Sequence, residues 1–105
     1  MQRRVLLGLA AVAFCAPSAR AATAEVHIDN FVFTPDTLKV AVGAMVKFTN
    51  RDDLPHSVVS AARPPIFKSK TLDTDDSFTF IFDKPGEYAY FCGLHPHMKG
   101  VVVVA

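Results

Sequence analysis

The chain has 105 residues, half of them hydrophobic and a fifth charged, and its 11 Lys+Arg against 10 Asp+Glu give a net charge of +1. That length is one domain's worth, and the composition excludes a disordered chain. Near-neutrality excludes the basic footprint of a nucleic-acid binder, and beyond the N-terminal residues no apolar run is long enough to span a membrane.

The first residues read as an address. Met1-Gln2-Arg3-Arg4 is a short basic start, Val5 to Ala16 is apolar and small throughout, and Pro17-Ser18 breaks the run. Ala19-Arg20-Ala21 has the small-x-small form of a cleavage site, so residues 1–21 are expected to be a secretory signal peptide and 22–105 the domain. Arg3-Arg4 before Val5-Leu6-Leu7 fits a twin-arginine signal as well as the Sec route. Phe14 stands where a lipoprotein needs a small residue before Cys15. The expected destination is the periplasm. Cleavage leaves 84 residues with eight basic against ten acidic groups, a net charge of −2, and a single cysteine, Cys92. In an oxidising compartment a lone thiol pairs with another chain, stays free and oxidisable, or ligates a metal.

The remaining chain reads as strands. Val26 and Ile28, then Phe31 and Phe33, give a first strand with a phase slip at Asn30. Leu38, Val40 and Val42 alternate with Lys39 and Ala41, and Gly43-Ala44 turns the chain into Val46 and Phe48. Arg51 to Pro55 is a polar loop, His56 to Ser60 a short strand, and Ala61 to Lys70, with Arg63-Pro64-Pro65, an irregular crossing between sheets. Phe78, Phe80 and Phe82 alternate with Thr79 and Ile81; Asp83 to Gly86 is a turn by composition. Tyr88, Tyr90 and Cys92 share a face, and Val101 to Val104 closes the chain. No segment keeps a 3.6-residue period. About seven short strands with regular turn signals predict an all-β fold, a two-sheet antiparallel sandwich.

The chemistry lies in Cys92-Gly93-Leu94-His95-Pro96-His97-Met98, where a thiol, an imidazole and a thioether recur at spacings of three. A thiolate with two imidazoles and a weak axial thioether suits a copper ion cycling between Cu(I) and Cu(II). A cysteine on a strand is ordinarily a small buried apolar residue, and a methionine often fills a core gap. The company each keeps here favours ligation. The second imidazole falls to His56, which opens a strand after Pro55; His27 sits on the polar phase of the first strand. His97 reads as an exposed loop residue that could make docking pH-sensitive, and Asp73, Asp75 and Asp76 as solvated surface without a calcium loop's ligand run.

Cys-x-x-His-x-x-Met, Pro55-His56, Gly86-x-Tyr88-x-Tyr90-x-Cys92 and Lys99-Gly100-Val101-x-Val103 together resemble the cupredoxins, the small blue copper proteins. Phe33-x-Pro35, Leu38-x-Val40 and Gly43-x-x-Val46-x-Phe48-x-Asn50 extend the likeness over residues 25–105, and the loop spacing is similar to that of the amicyanin/plastocyanin-like group, amicyanin above all. The resemblance implies a Greek-key β-sandwich and one type 1 copper held by His56, Cys92, His95 and Met98. It also implies single-electron transfer by a monomer to redox partners docking near His95, with an amine dehydrogenase as donor and a c-type cytochrome as acceptor. Three positions depart from it, one being His97 in place of an apolar residue of the ligand loop. Leu94 replaces a proline and keeps its N–H, which is expected to donate a second hydrogen bond to the Cys92 sulfur beside that of Ser57. Ser57 itself stands where the family has Asn, which puts the tie between the ligand loops in question.

A copper-delivery or storage module is the alternative function; Met1, Met45 and Met98 are the only methionines, so no Met-rich transfer motif exists. An enzyme is disfavoured, because four protein ligands leave the metal no open position for substrate.

Overall fold

The computed structural model describes residues 23–105, so the expected signal peptide and the boundary at residue 22 lie outside the described residues. Eight strands are found among the described residues: β1 (Thr23–Asp29), β2 (Val32–Thr34), β3 (Thr37–Val40), β4 (Ala44–Asn50), β5 (Val59–Ser60), β6 (Ser77–Phe82), β7 (Gly86–Phe91) and β8 (Lys99–Val104). They form two four-stranded sheets, ordered β2-β1-β4-β6 and β3-β8-β7-β5. The expected all-β sandwich is present.

Two neighbour pairs depart from the antiparallel pattern. β1 runs parallel to β4, with Val26 opposite Phe48, and β3 runs parallel to β8, with Leu38 opposite Val102. Parallel neighbours need a crossover between them. The β2 and β3 excursion, which leaves the first sheet for the second and returns, supplies it for β1 and β4.

Period-2 alternation decides which side chains enter the space between the sheets. Val26 and Ile28 of β1, Val46 and Phe48 of β4, Phe82 of β6, Tyr90 of β7, and Val102 and Val104 of β8 are all buried there. Ile81, on the opposite phase of β6, is 54% exposed. The Tyr90 ring packs edge-on against Phe33 and Phe48, with centroids 4.7 and 5.3 Å away. Gly100 lies directly across from Tyr90 on β8, and a Cβ at that position would collide with the Tyr90 ring. Phe67, within the irregular connection, is also a core residue, 5.0 Å from Phe80 and 5.7 Å from Phe82. Each such buried aliphatic or aromatic side chain contributes about 1.5–3 kcal/mol of transfer free energy. This is the rigid frame.

Three further expectations change in detail. The phase slip at Asn30 is a hairpin: Asn30 and Phe31, with φ of 54° and 63°, are the two loop residues between β1 and β2. Positive φ at both loop positions matches the right-handed twist of the flanking strands, and Asn tolerates it. Phe31 therefore leaves the core face and is 37% exposed. Val42, past the end of β3, is also exposed rather than buried. The expected strand from His56 shortens to Val59–Ser60, preceded by a single bridge between His56 and Leu72. The crossing after Ala61 is irregular, as expected.

Candidate metal centre

Cys92 continues the inward phase of Tyr88 and Tyr90 one residue past the end of β7, which leaves its side chain fully buried at one end of the sandwich. The segment that follows is closed by its own backbone. His95 N–H donates to the Cys92 carbonyl at 3.2 Å, Met98 N–H to the His95 carbonyl at 2.9 Å, and Cys92 N–H to the Met98 carbonyl at 3.1 Å. His95 is thereby turned back over Cys92, and Met98 is drawn into the core at 3% exposure.

His56 comes from the other sheet connection. Its backbone exchanges two hydrogen bonds with Leu72, at 3.0 and 2.7 Å, and its ring is fully buried. The Asp52 carboxylate lies 2.9 Å from His56 Nε2, which leaves Nδ1 facing Cys92 Sγ at 3.6 Å. His95 Nδ1 is 3.7 Å from the same sulfur, and the three donor atoms lie within 4.8 Å of one another. Metal–thiolate and metal–imidazole bonds of about 2.3 and about 2.0 Å, set about 120° apart, place sulfur and nitrogen roughly 3.7 Å apart. The donors fit a metal between them, and one soft thiolate with two imidazoles fits copper. His56, Cys92 and His95 thus converge as the sequence predicts, with Met98 buried in the same loop.

His27 does not join them: its Nε2 meets Glu25 Oε1 at 3.1 Å and its side chain is 45% exposed. His97 is exposed. Asp73, Asp75 and Asp76 are exposed as well and are used in turn-closing bonds, such as Asp73 N–H to Asp76 Oδ2 at 3.0 Å.

Serine at position 57 ties the two ligand segments twice. Its backbone N–H donates to Cys92 Sγ at 3.4 Å, and its hydroxyl accepts the Gly93 N–H at 2.9 Å. Gly93 allows this approach, since a Cβ there would lie 2.7 Å from Ser57 Oγ. The second sulfur bond expected from Leu94 is not formed; among the described residues Ser57 is the backbone donor to Cys92 Sγ. The β-turn closed between Cys92 and His95 carries Leu94 to the outside, where it is 47% exposed.

Sequence reasoning missed three supporting residues. Asp52 orients His56, and that hydrogen bond is the main cause holding its carboxyl below the ordinary value of 3.8, ahead of the bonds it accepts from the Phe31 and Asp53 N–H groups. A metal-ligating imidazole commonly gives its other nitrogen to a carboxylate, so a search for such a partner near Pro55-His56 was the available signal. Asn50 is fully buried; its side-chain amide donates to the Leu54 and Leu72 carbonyls, both at 2.9 Å, and its Oδ1 accepts the Asp52 N–H at 2.9 Å. Phe31 stands edge-on to both imidazoles, with ring centroids 5.5 Å from His56 and 5.1 Å from His95.

This sandwich, with a buried thiol and two imidazoles at one end, is that of a blue copper electron-transfer protein. Residues 4–104 match the family described as the cupredoxin-like domain, and the chain belongs to that family. It is 35% identical over 89 residues to amicyanin-alpha of Methylorubrum extorquens, covering 82% of this chain and 75% of the relative. It is 36% identical over 111 residues to the chloroplastic plastocyanin of Tetradesmus obliquus, covering 92% and 77%. Among solved structures, a purple cupredoxin from Nitrosopumilus maritimus superimposes with a TM-score of 0.73 at 33% identity, covering 78% of this chain and 99% of that one. A copper-containing nitrite reductase from Thermus scotoductus gives 0.69 at 33% identity, with 81% of this chain matched to 22% of the reductase. Copper is the cofactor that the family and this donor set define.

Proposed function

We propose that this protein is an exported carrier of single electrons, in which His56, Cys92, His95 and Met98 would hold one copper ion. Bound copper supplies a one-electron Cu(I)/Cu(II) couple. The observation that carries the reading is the approach of both imidazole Nδ1 atoms to a fully buried thiol sulfur, at 3.6 and 3.7 Å. Donors already gathered in one place need little rearrangement between oxidation states. The Ser57 N–H bond to the sulfur favours the electron-rich reduced site.

The two imidazoles divide the work. His56 is sealed in and fixed by Asp52, whereas His95 is half-buried between the exposed Leu94 and Pro96. Leu94 and Phe31, 47% and 37% exposed, the latter with its ring 5.1 Å from that of His95, would give this edge a small apolar surface, with the exposed Leu54 two residues before His56. A patch of that kind suits a small, transient interface, and electrons would pass through the His95 imidazole. The resemblance to amicyanin supports an amine dehydrogenase as donor and a c-type cytochrome as acceptor, meeting a monomer. Residues 1–21 support a periplasmic location. No helix among the described residues is long and apolar enough to cross a membrane.

Voltammetry of the copper-loaded protein in the presence of a Cu(I) chelator tests this. A carrier gives a reversible one-electron wave and keeps its metal through repeated cycles. Loss of copper to the chelator on reduction would instead support delivery or storage.

A further inference from the structure

We propose that Phe31 is a positioning residue for the two imidazoles, and that the strained Asn30–Phe31 turn is kept because it places this ring across them. The inference rests on the copper site proposed for His56, Cys92 and His95.

The backbone is the first observation. Phe31 has a φ of 63°, in the left-handed region that a bulky side chain avoids and that Gly occupies without penalty. Glycine is the common second residue of a two-residue hairpin turn after Asn. A bulky residue in a sparsely populated conformation persists when its surroundings over-determine it, and such residues gather at functional sites. Core packing does not account for this one, because Phe31 is 37% exposed and lies outside the buried cluster.

Its contacts supply the second observation. The ring stands at 85° to His56 and 86° to His95, an edge-to-face arrangement with both. The Phe31 N–H donates to Asp52 Oδ2 at 3.2 Å, and the same oxygen lies 2.9 Å from His56 Nε2. One carboxylate oxygen therefore fixes the turn and the buried imidazole together. His95 has no comparable partner among the hydrogen bonds of the described residues, where its ring contact is with Cys92 Sγ. The rings packed on His95 are those of Phe31, His56 and the exposed His97, at centroid distances of 5.1, 5.0 and 6.4 Å, and of these Phe31 alone also stands edge-to-face with His56.

Backbone and ring then make opposite demands, and Phe31→Gly separates them. Removing the side chain relieves the turn, so the metal-free protein is expected to melt several degrees higher, on the order of 4 °C. The same change frees His95. In the metal-free protein its ring signals in NMR spectra are expected to broaden or double. In the copper-loaded protein, release of Cu(II) to a chelator is expected to accelerate about threefold to tenfold. Phe31→Tyr keeps a ring and is expected to restore the wild-type histidine signals and release rate. Phe31→Asn, which tolerates the left-handed conformation, repeats the comparison if the glycine variant folds poorly. Unchanged His95 signals and release in both Phe31→Gly and Phe31→Asn would overturn the positioning role, and a lower melting midpoint in both would overturn the account of strain. If the wild-type protein does not take up Cu(II) at all, the copper reading fails, while the metal-free NMR comparison still decides the role of Phe31.

Discussion

The middle of the sandwich and its metal-binding end are built on different principles. Around Tyr90 the order comes from apolar side chains on regular ladders, with Phe33, Phe48 and Gly100 fitted to one ring. At the other end a few polar bonds between loops, from Asn50, Asp52 and Ser57, hold His56 and Cys92 in place, and one turn is strained. The first region gains stability in proportion to the area it buries. The second concentrates its precision in individual bonds, so damage there changes the metal's surroundings more than the fold.

Substitutions can break that contrast in order of size. Gly100→Ala drives a methyl group into the Tyr90 ring, and overpacking of this kind is expected to cost about 3 kcal/mol, read as a fall in the urea midpoint. The folded fraction is expected to keep its copper spectrum unchanged. A changed spectrum at full folding would show that the two regions are coupled. Asp52→Ala removes the partner of His56 Nε2, and loss of such support lowers metal affinity about 10- to 100-fold. Competition with a chelator measures it, and an unchanged affinity would mean that burial alone orients His56.

Asn50→Ala removes a fully buried amide that bonds the Leu72 and Leu54 carbonyls and the Asp52 N–H, and about 2 kcal/mol of stability is expected to be lost. Its denaturation curve should shift less than that of Gly100→Ala, whereas its copper release should change more. Ser57→Ala is the mildest. It removes the acceptor of the Gly93 N–H while leaving the backbone bond to Cys92, so about 1 kcal/mol and a small change in reduction potential are expected. A large potential change in this variant would mean that the hydroxyl, and not the Ser57 N–H, governs the sulfur.

What was legible in the sequence follows the same division. Alternation placed Val26, Ile28, Val46, Phe48, Phe82 and Tyr90 in the core, because period 2 is a local property of each strand. His56 could be separated from His27 on the same ground, and the Cys92–Met98 loop offered its candidate ligands by residue type and spacing. Parallel pairing of β1 with β4 was hidden, since it depends on where the chain returns after β3. Phe31 was read as part of the first strand, in phase with Phe33, because periodicity does not reveal a φ of 63°. Asp52 looked like ordinary loop polarity and Asn50 entered only as part of the family likeness, and their bonds exist only once the loop folds back over His56 and Leu72. The Leu94 N–H failed as a sulfur donor for a related reason: the turn after Cys92 faces it outward.

The most direct test of the central claim is the visible spectrum of the purified protein as Cu(II) is added, for the wild type and for Cys92→Ser. An intense blue or purple band that saturates at one equivalent, bleaches on reduction and is absent from Cys92→Ser is the predicted result. A wild-type protein that stays colourless with Cu(II), or a band that survives the loss of the Cys92 thiol, would contradict the thiolate–copper site on which the account stands.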